Sequence, residues 1–218
     1  MKRTNRLTEG NILHTLIRFA VPVFFTLFLQ ALYGGVDLLV VGQFADASGV
    51  AAVSTGSTIM QTVTLIISGL TMGATILIGR KIGEQAYDQI GRIIGAAVAM
   101  FTVLALVLTA VSLLLADQFT AWMKVPQQAV SQCVDYVTIC SLGTIFIVFY
   151  NVISGIFRGI GNSKLPLIFV FIACVVNIVG DVVLVAGFHL GAAGAAAATI
   201  AAQAVSVVLS LVIIQRTK

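Results

Sequence analysis

Six apolar stretches, each long enough to cross a lipid bilayer, follow one another with only short polar breaks. They run over residues 16–43, 50–79, 93–116, 130–157, 165–188 and 192–214. A membrane-spanning helix needs about 20 apolar residues. Inside hydrocarbon every backbone polar group must be satisfied within the segment, which leaves helices and closed barrels. Barrel strands alternate apolar and polar residues, and no such alternation is present here. The expected fold is therefore an all-α, polytopic six-helix membrane bundle, a single lobe over residues 1–218. With 218 residues there is no room for a further extramembrane domain. Composition agrees: 59% of residues are hydrophobic and 9% charged, against about 45–50% and 25% in soluble domains. A soluble enzyme, a disordered chain and a nucleic-acid module are excluded together.

The few charges are sorted. With the N-terminus in the cytoplasm, Lys2, Arg3, Arg6, Arg18, Arg80, Lys81, Arg92, Arg158, Lys164, Arg216 and Lys218 fall inside, and only Lys124 outside. That asymmetry is the positive-inside pattern, so the net charge of +4 reports topology rather than a nucleic-acid partner. Both termini are then cytoplasmic, and a multi-pass protein of the plasma (inner) membrane is expected. The first apolar run is far too long for a signal-peptide core. Cys133, Cys140 and Cys174 lie within spans without metal-ligand spacing and read as small packing residues.

Charged side chains within a bilayer cost at least about 2.5–3.5 kcal/mol and nearly always face a cavity or partner. Asp37 and Asp181 each sit inside an apolar span. Asp37 is about 9 Å below the outer end of span one, and Asp181 about 10 Å below that of span five. Thr199 in span six falls about 10 Å below the same face. Asn177 precedes Asp181 by four residues and shares its helical face. Two carboxylates, an amide and a hydroxyl can thus meet at one level in the outer half of the bundle. Two carboxylates sharing a low-dielectric pocket cannot both ionise cheaply, so such a pair takes up and releases a proton as a unit. The same oxygens suit a sodium ion, and no His or Cys cluster suggests a transition metal. A coupling-ion site for Na+ or H+ is expected, with no other cofactor. No nucleophile elbow or zinc-hydrolase motif accompanies it, so an enzyme is not expected.

Two further features concern shape. Pro22 in span one cannot donate to the Arg18 carbonyl and should bend the helix. Gly34, Gly35, Gly69, Gly73, Gly79, Gly83, Gly91, Gly95, Gly155, Gly159 and Gly161 lie on or beside spans and read as close packing points between helices. The Ala-rich start of span six, residues 191–202, reads the same way.

These residues resemble the N-terminal half of a multidrug and toxic compound extrusion (MATE) transporter. The likeness rests on Pro22, Gln30 and Asp37 in the first span, on Gly69-Leu70-Thr71-Met72-Gly73 ahead of Arg80-Lys81-Ile82-Gly83, and on the run from Phe157 through Arg158, Gly159, Gly161, Lys164 and Pro166. Asn177-Ile178-Val179-Gly180-Asp181, with Thr199 eighteen residues on, completes it. The resemblance implies one six-helix lobe of a twelve-helix antiporter that works by alternating access. It implies a cation site of Asp37, Asn177, Asp181 and Thr199, supported by Tyr136 and Asn151. By the same likeness Gln30 lines a substrate cavity and Pro22 marks the helix bend. Ser154 departs from the amide that relatives often carry.

The implied substrates are small cationic or amphipathic compounds. The implied partners are the lipid bilayer and a second six-helix lobe, supplied by a further half or by a second copy. A lipid-linked sugar flippase of the same superfamily is an alternative, against which the near absence of Lys and Arg in the spans counts. A six-helix channel, or a fragment inactive on its own, is another.

Overall fold

The computed structural model describes residues 11–216. Lys2, Arg3, Arg6 and Lys218, which contribute to the charge asymmetry, lie outside the described residues. Every regular element among the described residues is helical. Helix α1 covers Ile12–Phe44, α2 Ala47–Gly83, α3 Tyr87–Leu114 and the short α4 Ala116–Trp122. After a 3₁₀ turn, α5 covers Val130–Leu142, α6 Thr144–Gly159, α7 Lys164–Asp181 and α8 Gly191–Arg216. Five helices are long and apolar enough to cross a membrane, or six spans if α5 and α6 count as one.

The fourth expected span, 130–157, is not one straight helix. It breaks at Gly143, and the helices on either side meet at 51°. The break coincides with a close approach of α8. A Cβ on Gly143 would lie 2.4 Å from the Ile200 side chain, so α8 presses against the backbone at this point. The fifth span also changes character. Immediately after Asp181 the helix widens into a π-helical stretch, Val182–Gly187, a form that recurs at functional sites.

Local chemistry sets the helix ends. The Asn11 side chain accepts hydrogen bonds from the amides of Leu13 and His14 and opens α1. Asp46 accepts from the Gly49 amide and the Ser48 hydroxyl and opens α2. Those bonds hold its carboxyl below the usual carboxylate range. At the other end of α2, Arg80 and Lys81 clasp Glu84 at 2.7 and 2.8 Å. They hold that carboxyl low as well, Lys81 contributing most.

Helix α1 is patterned inside out. Its fully buried residues are Pro22, Thr26, Asp37 and Val41, while Leu16, Phe24, Phe28 and Leu39 point outward. That suits a lobe bathed in lipid, where the apolar face needs no protein cover. The helix continues through Pro22, and Thr26 donates its hydroxyl to the Pro22 carbonyl at 2.8 Å.

Small residues draw some helices together, but fewer than expected. Gly155 faces Thr71 and Thr75, and Gly159 faces the Thr75 carbonyl and Ile78, so α6 lies tight on α2. By contrast Gly34, Gly35, Gly69, Gly73, Gly83, Gly91 and Gly95 have open space where a Cβ would stand. Their assignment as packing points is corrected: they lie on helix faces that no other part of the described chain covers. Gly161 serves a turn, with φ of 85°, a conformation glycine adopts without cost. The Ala-rich start of α8 does pack, burying Ala192, Gly194, Ala195, Ala196, Ala198 and Ala202. The three cysteines are buried and free.

Candidate cation site

Three helices converge on one sealed pocket. Helix α1 brings Asp37, α7 brings Asn177 and Asp181 on one face, and α8 brings Thr199. Asp37 is 5% exposed, Asn177 1% and Asp181 0%. The approach of α7 to α8 is set by Gly180, where a Cβ would lie 2.8 Å from the Ala198 Cβ. This contact between two small residues puts their neighbours, Asp181 and Thr199, at one level.

A chain of hydrogen bonds orders the pocket. Asn177 Nδ2 donates to Thr199 Oγ1 at 3.3 Å, and Thr199 Oγ1 donates to Asp37 Oδ2 at 3.3 Å. The Asp181 carboxyl is close enough to the Asp37 carboxyl for the two to interact electrostatically. Four buried oxygens have no partner: Asp37 Oδ1, Asn177 Oδ1 and both oxygens of Asp181. All four are acceptors. No basic side chain pairs with either acid among the described residues, where the ion pairs both involve Glu84. A buried acceptor without a donor carries its full desolvation cost. Such a set of acceptors can accommodate positive charge: a proton shared between the carboxyls would satisfy two of the oxygens, and a cation could be ligated by more of them.

The other expected residues are placed differently. Tyr136 is buried against Gly56, whose Cβ would stand 2.4 Å from its ring, and it lies within electrostatic reach of Asp37. Asn151 turns elsewhere. It accepts from Ser68 on α2 at 3.0 Å and donates to the Ile147 carbonyl of its own helix at 2.8 Å. Gln30 is half-buried and interacts with the Tyr150 hydroxyl.

Sequence reasoning passed over Tyr33 and Gln203, which interact with each other. Each stands one helical turn from a site residue, Tyr33 four before Asp37 and Gln203 four after Thr199. That spacing was the available signal.

Known proteins share this framework. The MatE family model matches residues 22–183. Over 204 residues the chain is 30% identical to the Probable multidrug resistance protein YpnP of Bacillus subtilis, covering 94% of this chain and 46% of that protein. It is 23% identical over 198 residues to the Multidrug export protein MepA of Staphylococcus haemolyticus, covering 91% and 44%. Among solved structures, a MATE crystallised with MaD3S superposes with a TM-score of 0.90 at 23% identity, covering all of this chain and 49% of that one. A MOP superfamily transporter from Pyrococcus furiosus gives 0.89 at 23% identity, with 96% and 46% covered. The chain spans about half the length of the curated relatives it matches.

Proposed function

The chain belongs to the MatE family, and from that premise we propose that it is one six-helix lobe of a cation-coupled exporter of small cationic or amphipathic compounds in the plasma membrane. The observation that carries the reading is the set of unpartnered acceptor oxygens on Asp37, Asn177 and Asp181. A second lobe, from a further half or a second copy, completes the substrate path between them.

The coupling follows from electrostatics. With a proton or sodium ion in place, one positive charge offsets the clash of two carboxylates and holds α1 against α7 and α8. Once the ion leaves, two like charges face each other in a medium of low dielectric, where repulsion is strong. Helix α1 is the element free to respond. It buries few side chains, and Pro22 leaves the Arg18 carbonyl without its helical donor. A shift of α1 bending at Pro22 moves Gln30, seven residues from Asp37, on the substrate side. Ion occupancy and substrate occupancy thereby become linked, which is the requirement for alternating access.

Linkage is reciprocal and can be measured by binding. The chain in lipid nanodiscs should bind the monocation rhodamine 123 with an affinity that falls as Na+ or H+ rises. Asp37→Asn should remove that dependence while the dye still binds. A wild-type affinity indifferent to both ions, with dye bound, would sink the coupling role.

A further inference from the structure

The short helix α4, Ala116–Trp122, stands apart from the membrane spans. Its depth follows from the helix before it. With the N-terminus in the cytoplasm, α3 climbs outward from Tyr87 to Leu114 through 28 residues. At 1.5 Å per residue that is a rise of about 42 Å. Hydrocarbon fills about 30 Å of a bilayer, and the headgroup layers bring the whole to about 40–45 Å. Helix α3 therefore uses up the full thickness. Tyr87, exposed at its start, marks the inner headgroups, and α4 begins at the outer ones.

Three faces can be told apart on α4 and the residues flanking it. Ala116 and Thr120 are buried, and the helix packs on α5 and α2. Asp117, Gln118 and Lys124 are exposed polar residues on a second face. Leu115, Phe119, Trp122 and Met123 fall at intervals of four, three and one and form an apolar third. Trp122 is 70% exposed, and Phe119 meets it edge-on with ring centres 5.8 Å apart. The chain then reverses at Lys124, where φ is 52°. Val125 donates its amide to the Thr120 carbonyl at 3.2 Å, which closes the turn before α5.

The rest of the described chain leaves most of Trp122 uncovered, and two observations identify what meets it. The exposed residues Val103, Val107, Val111 and Leu114 follow at helical spacing along α3, so an apolar stripe of membrane length leads up to α4. Tryptophan, apolar in body with one N–H to place, is also the side chain suited to the headgroup level.

We propose that α4 is an interfacial helix whose partner is the outer leaflet of the bilayer. Leu115, Phe119, Trp122 and Met123 seat at the boundary between headgroups and acyl chains, and Asp117 and Lys124 stay in the water above. A segment that reads in sequence as part of an outer loop thereby anchors the lobe and holds the outer ends of α3 and α5 at one depth. The inference depends on the spans and their topology, not on ion coupling.

Trp122 is the only tryptophan of the chain, so its emission reports on α4 alone and no variant is needed. The chain is placed in nanodiscs of phosphatidylcholine brominated either near the headgroup end of the acyl chains or near their tips, and iodide is added from the water. Shallow bromines should quench Trp122 more than deep bromines or iodide do, because an amphipathic helix in the interface buries its apolar face only about 5–10 Å. Quenching by iodide with none by bromine puts the helix in water and overturns the proposal. Quenching strongest from the deep bromines puts it in hydrocarbon and overturns it as well. Emission indifferent to all three quenchers means that protein covers the face, a second lobe or a second copy, and that too overturns it.

Discussion

Thr199 on α8 donates its hydroxyl to Asp37 on α1 across 3.3 Å, although 162 residues separate them. The same hydroxyl accepts from Asn177 on α7. One oxygen therefore ties together the three helices of the acid pocket. Thr199→Val keeps the shape and removes both bonds. Cation affinity should fall about tenfold, the scale of a hydrogen bond to a charged group, and Thr199→Ser should restore most of it. Equal affinity in the valine variant, measured by cation titration, would remove Thr199 from the site.

The contact of Gly180 with Ala198 should be as exacting as its geometry. Gly180→Ala drives a methyl to 2.8 Å from the Ala198 Cβ, an overpacking that costs about 1–3 kcal/mol. Thermal unfolding in nanodiscs should show that loss, and adding Ala198→Gly should recover most of it. Independent, additive effects in this double-mutant cycle would mean the two residues do not meet.

Glycines should divide by what faces them. Gly56→Ala places a carbon 2.4 Å from the Tyr136 ring and should destabilise the packing of α2 on α5. Gly69→Ala and Gly73→Ala meet open space and should be neutral, or stabilising by about 0.5–1 kcal/mol through helix propensity. A large loss at Gly69 or Gly73 would show that another surface covers that face of α2.

The Asp46 cap should be sensitive to acid. Its carboxyl titrates below the ordinary 3.8 because the charged form accepts bonds from Ser48 and Gly49. The folded value lies under the unfolded one, so the stabilisation is complete above 3.8 and is lost as pH falls through the folded value. The gap in melting temperature between wild type and Asp46→Ala should hold at neutral pH and close in acid. A gap that widens in acid would contradict the capping role.

Much of the architecture was legible because bilayer thickness constrains it. Apolar runs of membrane length and asymmetric basic loops can be read without contacts, and so can an acid within an apolar run. Asp37, Asn177, Asp181 and Thr199 could be matched in depth by counting residues. What escaped depends on which side chain meets which. At Gly143, where the fourth span breaks, Ile200 from far along the chain leaves no room for a side chain. Asn151 turns to Ser68 because α6 lies against α2, a neighbour that spacing along one helix does not reveal. The π-helical turn after Asp181 arises in the run Val-Val-Leu-Val-Ala-Gly, which carries no local signal for it. The open glycines were misread because a small residue looks alike whether it faces another helix or nothing.

The central claim is that the pocket of Asp37 and Asp181 exists to hold one positive charge. Equilibrium binding of radiolabelled sodium to the chain in nanodiscs, with proton exchange followed by a pH dye, tests it directly. The account predicts at most one sodium per chain, displaced by protons, or in its absence one exchangeable proton. Either should be lost in both Asp37→Asn and Asp181→Asn. Sodium binding and proton exchange that are unchanged in both variants would contradict it.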